Sequence, residues 1–136
     1  MTGEEKAYIA GIIDGEGSIM LIKFHENQLP SPCISIASTS LELLEWIKDK
    51  TSVGIIKGKK NYNTSRHKNS FSYIVKHNDA IALLKLIVPY LVIHNKKERA
   101  LMIINEYKNL TPRNGRYSED LFERKTNFYK RFIEIK

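Results

Sequence analysis

Cysteine is almost absent: Cys33 is the only one in 136 residues. An internal disulfide is thereby excluded, and so is a zinc site built mainly from cysteine. Cys33 stands in the alternating run Cys33-Ile34-Ser35-Ile36, where a packed strand residue is expected rather than a nucleophile. Long apolar runs are also missing. The longest, Ala80 to Ile93, contains Lys85 and Pro89 and is too short and too interrupted to span a bilayer. The opening Met1-Thr2-Gly3-Glu4-Glu5-Lys6 is acidic and leads into only a short apolar run, unlike a secretory signal. An intracellular protein without a membrane partner is expected. No internal repeat, low-complexity tract or linker interrupts the chain, so residues 1–136 are expected to form a single domain.

What is present is a globular composition with a basic balance. Hydrophobic residues make up 42% and charged residues 27%, enough apolar surface for a core. Lysine and arginine number 22 against 15 acidic residues, a formal charge of +7 that favours a polyanionic partner, nucleic acid or an anionic surface. On charge alone, a merely soluble basic protein accounts for this equally well.

Thr2 and Glu5 have capping-box spacing ahead of the apolar run Ala7 to Ile13, which reads as a buried helix ending at Asp14-Gly15-Glu16-Gly17. Ile19 to His25 and Cys33 to Ser38 read as strands. Thr39 and Glu42 open a helix that stops before Gly54. A second hairpin follows, Ile55 to Lys60 and Phe71 to His77, with a polar, basic tip. Asn78 can cap a helix toward Pro89, Asn95 and Glu98 another through Ala100 to Tyr107, and Ser118 the last, through Phe128 and Phe132. The order α-β-β-α-β-β-α-α-α is that of a mixed α+β domain.

Chemistry concentrates in Ile9-Ala10-Gly11-Ile12-Ile13-Asp14-Gly15-Glu16-Gly17. Two carboxylates at the carboxyl end of an apolar helix meet a macrodipole that is already negative there, an arrangement that favours a bound cation. Ala10 and Gly11 are small enough to let another backbone approach. Taken alone, Asp-Gly and Glu-Gly also suit a plain helix-to-strand turn. An EF-hand is excluded, because Ile19 stands at the obligatory glycine and His25 at the bidentate glutamate. A dinucleotide loop is excluded by Met20 at the third glycine and by a helix that precedes the motif.

IAGIIDGEG resembles the LAGLIDADG motif, and the two hairpins alternating with helices resemble the whole domain of the LAGLIDADG homing endonucleases. The resemblance implies an α-β-β-α-β-β-α fold with added C-terminal helices and a concave antiparallel sheet that holds double-stranded DNA. It implies a metal site at Glu16, the last acid of the motif, with the Gly15 carbonyl as companion ligand and Mg2+ as the divalent ion. Asp14 maps to the first acid, which mostly stabilises the helix end and is the weaker catalytic candidate. The family's lysine, in a K-x-x-x-A setting, maps to Lys96 of Lys96-Lys97-Glu98-Arg99-Ala100, with His94 and Lys97 as alternates. A cation in the first turn of a helix opposes the macrodipole, which hints at a role; an exposed basic helix start is the plainer account. One departure stands out. Where many members carry Gln or Arg at the end of the second strand, this chain has Ser38, Thr39 and Ser40.

Candidate DNA-binding residues follow from the hairpins. The second contributes Lys57, Lys59, Lys60, Asn61, Tyr62, Asn63, Arg66, His67, Lys68 and Asn69. The first contributes Lys23, His25, Asn27 and Gln28, joined by Ser35, Lys76 and Lys97. Alternation leaves open whether Ile22 and Phe24 or Lys23 and His25 face DNA. Only one motif is present, so cutting two strands implies a two-fold homodimer through the first helix, with Tyr8, Ile9, Ala10, Gly11 and Ile12 as interface candidates and a near-palindromic target. The expected activity is site-specific, metal-dependent double-strand DNA cleavage, of the kind associated with intron homing. The alternatives are a non-cleaving binder on the same scaffold (an intron maturase or transcription regulator) and a small basic protein of a ribonucleoprotein particle. His94-Asn95 lacks the paired-histidine framework of an HNH nuclease.

Overall fold

A computed structural model of the full chain describes residues 1–59 and 69–136, with the side chain of Lys59 also left aside. Lys60, Asn61, Tyr62, Asn63, Arg66, His67 and Lys68, expected to contact DNA, therefore lie outside the described residues.

Helix α1 (Gly3–Glu16) begins as its sequence requires: the Thr2 hydroxyl accepts from the Glu5 amide at 3.1 Å, and Glu4 and Glu5 complement the macrodipole. Strands β1 (Gly17–Ile22) and β2 (Ser31–Ser38) form the first hairpin, and α2 (Leu41–Thr51) follows. Strands β3 (Ile55–Lys59) and β4 (Ser70–Lys76) form the second, followed by α3 (His77–Ile87), α4 (His94–Met102) and α5 (Glu119–Ile133). Between α4 and α5 the helical path continues through a π-turn, Ile103–Tyr107, and a short 3-10 turn, Lys108–Leu110. This is the expected element order. Three caps differ. The residues preceding α2, α3 and α4 are Ser40, Lys76 and Ile93, not Thr39, Asn78 and Asn95, and none makes a side-chain cap. Ser118 caps α5, accepting from Leu121 at 3.1 Å.

The strands form one antiparallel sheet in the order β1-β2-β4-β3. Its helix-covered face carries Ile19, Leu21, Ile34, Ile36, Tyr73 and Val75, packed against Ile9 and Ile13 of α1, Leu44 and Ile47 of α2 and Ala80, Ile81 and Leu84 of α3. At about 25 cal/mol per Å² this apolar burial is the main stabilising term. Tyr73 spans the layers: its phenol donates to the Val53 carbonyl at 2.9 Å and lies 2.7 Å from the Thr51 hydroxyl. Gly54, at φ +91°, passes so near that ring that a Cβ would lie 2.7 Å from it.

Register assigns the other face. Ser18, Met20 and Ile22 of β1 line up with Ser35 and Cys33 of β2, then with Ser72, Ile74 and Lys76 of β4 and Ile55 and Lys57 of β3. This face points away from the helices.

The first helix is less enclosed than its composition suggests. Only Ile9, Ala10 and Ile13 are buried, whereas Ala7, Tyr8, Gly11 and Gly15 are exposed. Ile9 and Ala10 are wholly inside the protomer's own core, so neither is available to a second chain. The helical period of 3.6 residues puts them on the sheet side, and leaves Tyr8, Gly11 and half-buried Ile12 on the outer side. No described helix is long and apolar enough to cross a membrane.

Candidate active site and nucleic-acid interface

The tip of α1 is built by two tethers to one segment of chain. The Asp14 carboxylate turns back and accepts from the Val92 amide at 2.8 Å and the Ile93 amide at 3.2 Å. Just beyond, the Lys96 ammonium donates to the carbonyls of Ile13 at 2.8 Å and Asp14 at 2.6 Å. These carbonyls belong to the last turn of α1, where the macrodipole and carbonyl oxygens with lone pairs to spare together attract a cation. Lys96 does stand in the first turn of α4, against that helix's dipole, but its charge is delivered to the carboxyl end of α1. The sequence anomaly therefore has a structural explanation, which the resemblance did not supply.

Gly17 makes the exit possible. Its amide donates back to the Ile13 carbonyl, and a Cβ there would lie 2.8 Å from the Ile13 Cα. The chain thus turns directly from helix into β1. With Asp14 and Lys96 committed to fixing the tip, Gly15 and Glu16 are left exposed, and Glu16 has neither ion pair nor side-chain hydrogen bond among the described residues. No group of three or more His, Cys, Asp or Glu gathers as a metal site among the described residues. What one chain offers is a single free carboxylate beside a backbone carbonyl, an oxygen-only set suited to a hard divalent ion. Those donors fit such an ion, the other ligands having to come from phosphate, water or a second chain.

The remaining candidates separate clearly. His94 is exposed and lies 3.5 Å from Glu98, and Lys97 is exposed. The Ser38 hydroxyl accepts from the Ser40 amide at 3.0 Å, so at the end of β2 it closes a turn. Arg99, which the sequence reading did not single out, donates to the carbonyls of Ile19 and Ile135, each at 2.9 Å, and lies over the Phe132 ring. It ties the end of the chain to β1 beside the tip. The K-x-x-x-A spacing drew attention to Lys96 and gave no signal for Arg99.

On the sheet face opposite the helices, Ser35, Lys57 and Lys76 share one surface with Ser18 and Ser72. Lys23 and His25 lie past the end of β1 and are exposed, as are Asn27, Gln28 and Asn69. Ile22 completes the open-face series of β1, and the Phe24 ring packs at 4.4 Å from the Lys76 ammonium and 5.2 Å from the His77 ring. Burial pushes the Cys33 thiol up from its ordinary range, opposed by nearby Lys76, as befits a packed strand residue.

No known family's model matches the chain, and no curated protein matches it. Solved structures do. An archaeal intron-encoded homing endonuclease, I-Vdi141I, complexed with DNA, superposes with a TM-score of 0.74 at 24% identity, covering 98% of this chain and 84% of that one. The homing endonuclease I-CvuI, with the I-CreI target and magnesium and the DNA not cleaved, gives 0.72 at 16% identity over 98% and 82%. The LAGLIDADG homing endonuclease I-GzeII with its DNA target gives 0.65 at 21% identity, covering 96% of this chain but 43% of that one. At these identities the likeness is one of fold.

Proposed function

We propose that this chain, which has the fold of the LAGLIDADG homing endonucleases, is a site-specific endonuclease that hydrolyses both strands of double-stranded DNA. The observation that carries the reading is the α1 tip: Asp14 and Lys96 are spent on rigid backbone tethers, which presents the Glu16 carboxylate unpaired at the end of a fixed helix. A carboxylate held in that way is preorganised for a charge that arrives with the substrate.

Glu16 and the Gly15 carbonyl are the ligands for a divalent ion, magnesium by the hardness of the donors. Such an ion, when bound, polarises a phosphate oxygen and lowers the pKa of a coordinated water. Lys96 acts first as a positioning residue, fixing the helix end whose last carboxylate faces the substrate. The open sheet face receives the duplex, with Lys57 and Lys76 toward phosphates and Ser18, Ser35 and Ser72 within its hydrogen-bonding surface. Lys23, His25, Asn27, Gln28 and Lys97 extend that surface as exposed donors.

The functional unit is a two-fold dimer, because the one motif in each chain supplies a carboxylate for one strand. Its contact is the outer stripe of α1. Ala7, Gly11 and Gly15 recur every four residues, and a Cβ at Gly11 or Gly15 would meet nothing within 4 Å, leaving room for a second helix. Tyr8 and Ile12 flank that stripe. This chain corresponds to under half of I-GzeII and most of I-Vdi141I, which is the relation expected of a one-motif protein.

A second reading is favoured by one observation. The Lys96 ammonium and the Ser38 hydroxyl are both engaged within the protein, so a scaffold that binds nucleic acid without cutting would look similar here. Incubating wild type and Glu16→Gln with a randomised duplex library in magnesium, then sequencing ends, separates the two. Double-strand cuts around a two-fold-symmetric sequence, absent from the variant, are expected; enrichment of bound duplex without cuts in either protein would overturn the nuclease reading.

A further inference from the structure

Beyond the tip of β1 that is farthest from Glu16 lies a cavity of about 560 Å³. The turn after β1 walls one side, the start of α3 another, and the loop before α5 with Tyr107 the third. At its wall sits Lys125, only 4% exposed. The Lys125 ammonium donates to the Tyr117 phenol at 2.6 Å and the Thr111 hydroxyl at 3.0 Å, and lies 4.4 Å from the Tyr107 ring centre. No carboxylate pairs with it among the described residues. Two neutral acceptors and the faces of Tyr107 and Tyr117 surround it, and a buried cation with no counter-charge is ordinarily costly to keep.

The neighbours do not relieve this. Lys23 and Gln28 from the hairpin turn and His77 from α3 add further donors, against the single carboxylate of Glu26, which is exposed. His77 holds φ +56°, uncommon for a residue with a side chain and a recurrent mark of functional positions.

We infer that this cavity is an oxyanion pocket that takes a phosphate group, with Lys125 as its central donor and Lys23, Gln28 and His77 at its rim. A tetrahedral oxyanion supplies the missing negative charge and matches several donors at once. The volume exceeds that of one phosphate and admits the sugar attached to it. Two sources share this chemistry, a backbone phosphate of DNA and a free phosphorylated molecule. Only the first rests on the endonuclease reading.

The test uses the full chain with carbon-labelled lysines, titrated first with sodium sulfate, whose charge is constant across the working range, and then with a random-sequence duplex. The expected result is a sulfate-dependent shift of the Lys125 ε-carbon resonance, reversed or replaced when duplex is added. Sulfate affinity should fall about ten-fold between roughly pH 7 and pH 9.5 as the ammonium loses its proton. Lys23, Glu26, His77, Tyr107 and Tyr117 also face this cavity, so the lysine resonance itself, not bulk affinity, assigns the titration. Sulfate that stays bound in the presence of duplex supports the pocket and assigns it to a free phosphorylated ligand. Absence of any sulfate or duplex effect on Lys125, or equal sulfate affinity in a folded Lys125→Met, would overturn it. Should that variant fail to fold, the wild-type titration decides alone. Because sulfate binding needs no cleavage, a failed nuclease assay leaves this result independent.

Discussion

Two lysines sit near opposite ends of β1, and neither has a carboxylate partner among the described residues. Lys96 places its ammonium on the last carbonyls of α1, where a macrodipole equivalent to roughly half a negative charge receives it. Lys125 is buried among phenols, a hydroxyl and ring faces, which carry only local dipoles, and burial pushes its pKa down to about 8. The contrast shows that what holds a cation is the field at its head group. A helix end completes Lys96 within the protein, while Glu16 stays exposed and without an ion pair among the described residues. The Lys125 site stays electrically incomplete.

Changes at the helix tip should have the largest effect. Glu16→Gln should reduce cleavage at least about a hundred-fold while changing duplex affinity and melting temperature little, since the exposed carboxylate holds nothing in the fold. Comparable loss of binding in a gel-shift titration would contradict the separation of tip from sheet. Lys96→Met and Asp14→Ala should each lower unfolding free energy by about 2 kcal/mol in urea melts, because charged hydrogen bonds to backbone are removed. As both fix the same turn, the double variant should lose less than the sum. Strict additivity would mean the two tethers are independent.

At the Lys125 end the informative variable is pH. The folded-state pKa of about 8 lies below the ordinary 10.5 of the unfolded chain. Between those values the unfolded chain binds more protons, so the contribution of Lys125 to stability rises with pH across that window. Below about 8 both states are protonated and burial of the charge opposes folding fully. Lys125→Met should flatten this segment of the stability profile, measured by urea unfolding at a series of pH values; an unaltered slope would remove the lysine from the comparison. The smallest effect is expected on the outer side of α5. Arg131 donates to Glu106 at 2.6 Å, but both side chains are well exposed, so Glu106→Ala should change stability by under about 1 kcal/mol and less at high salt. A larger loss would mean that surface pairing outweighs buried charge here.

Much of the fold around the candidate site was readable from local pattern. The capping spacing at Thr2 and Ser118 and the helix that ends at the motif's acids each act over a few residues, and each corresponds to what is folded; in β2 the alternation is blurred, Cys33 being buried beside Ile34. Caps at Thr39, Asn78 and Asn95 were misplaced because neighbouring polar residues offer competing starts, and tertiary packing chose among them. The enclosure of α1 was overstated for a related reason. An apolar helix does not announce which side meets the sheet, and Ile9 and Ala10 turned inward while Tyr8 and Gly11 remained outside.

By itself the sequence determined the element order, the apolar strands and the position of two carboxylates at a helix end, because these depend on periodicity and near neighbours. Only the tertiary structure decided what each charge meets. Lys96 meets the Asp14 carbonyl across 82 positions of chain, and Lys125 meets Tyr117 and Thr111 inside a wall that loop and helix close together. Electrostatic roles depend on distance in space, on burial and on the direction of backbone dipoles, which linear spacing does not specify.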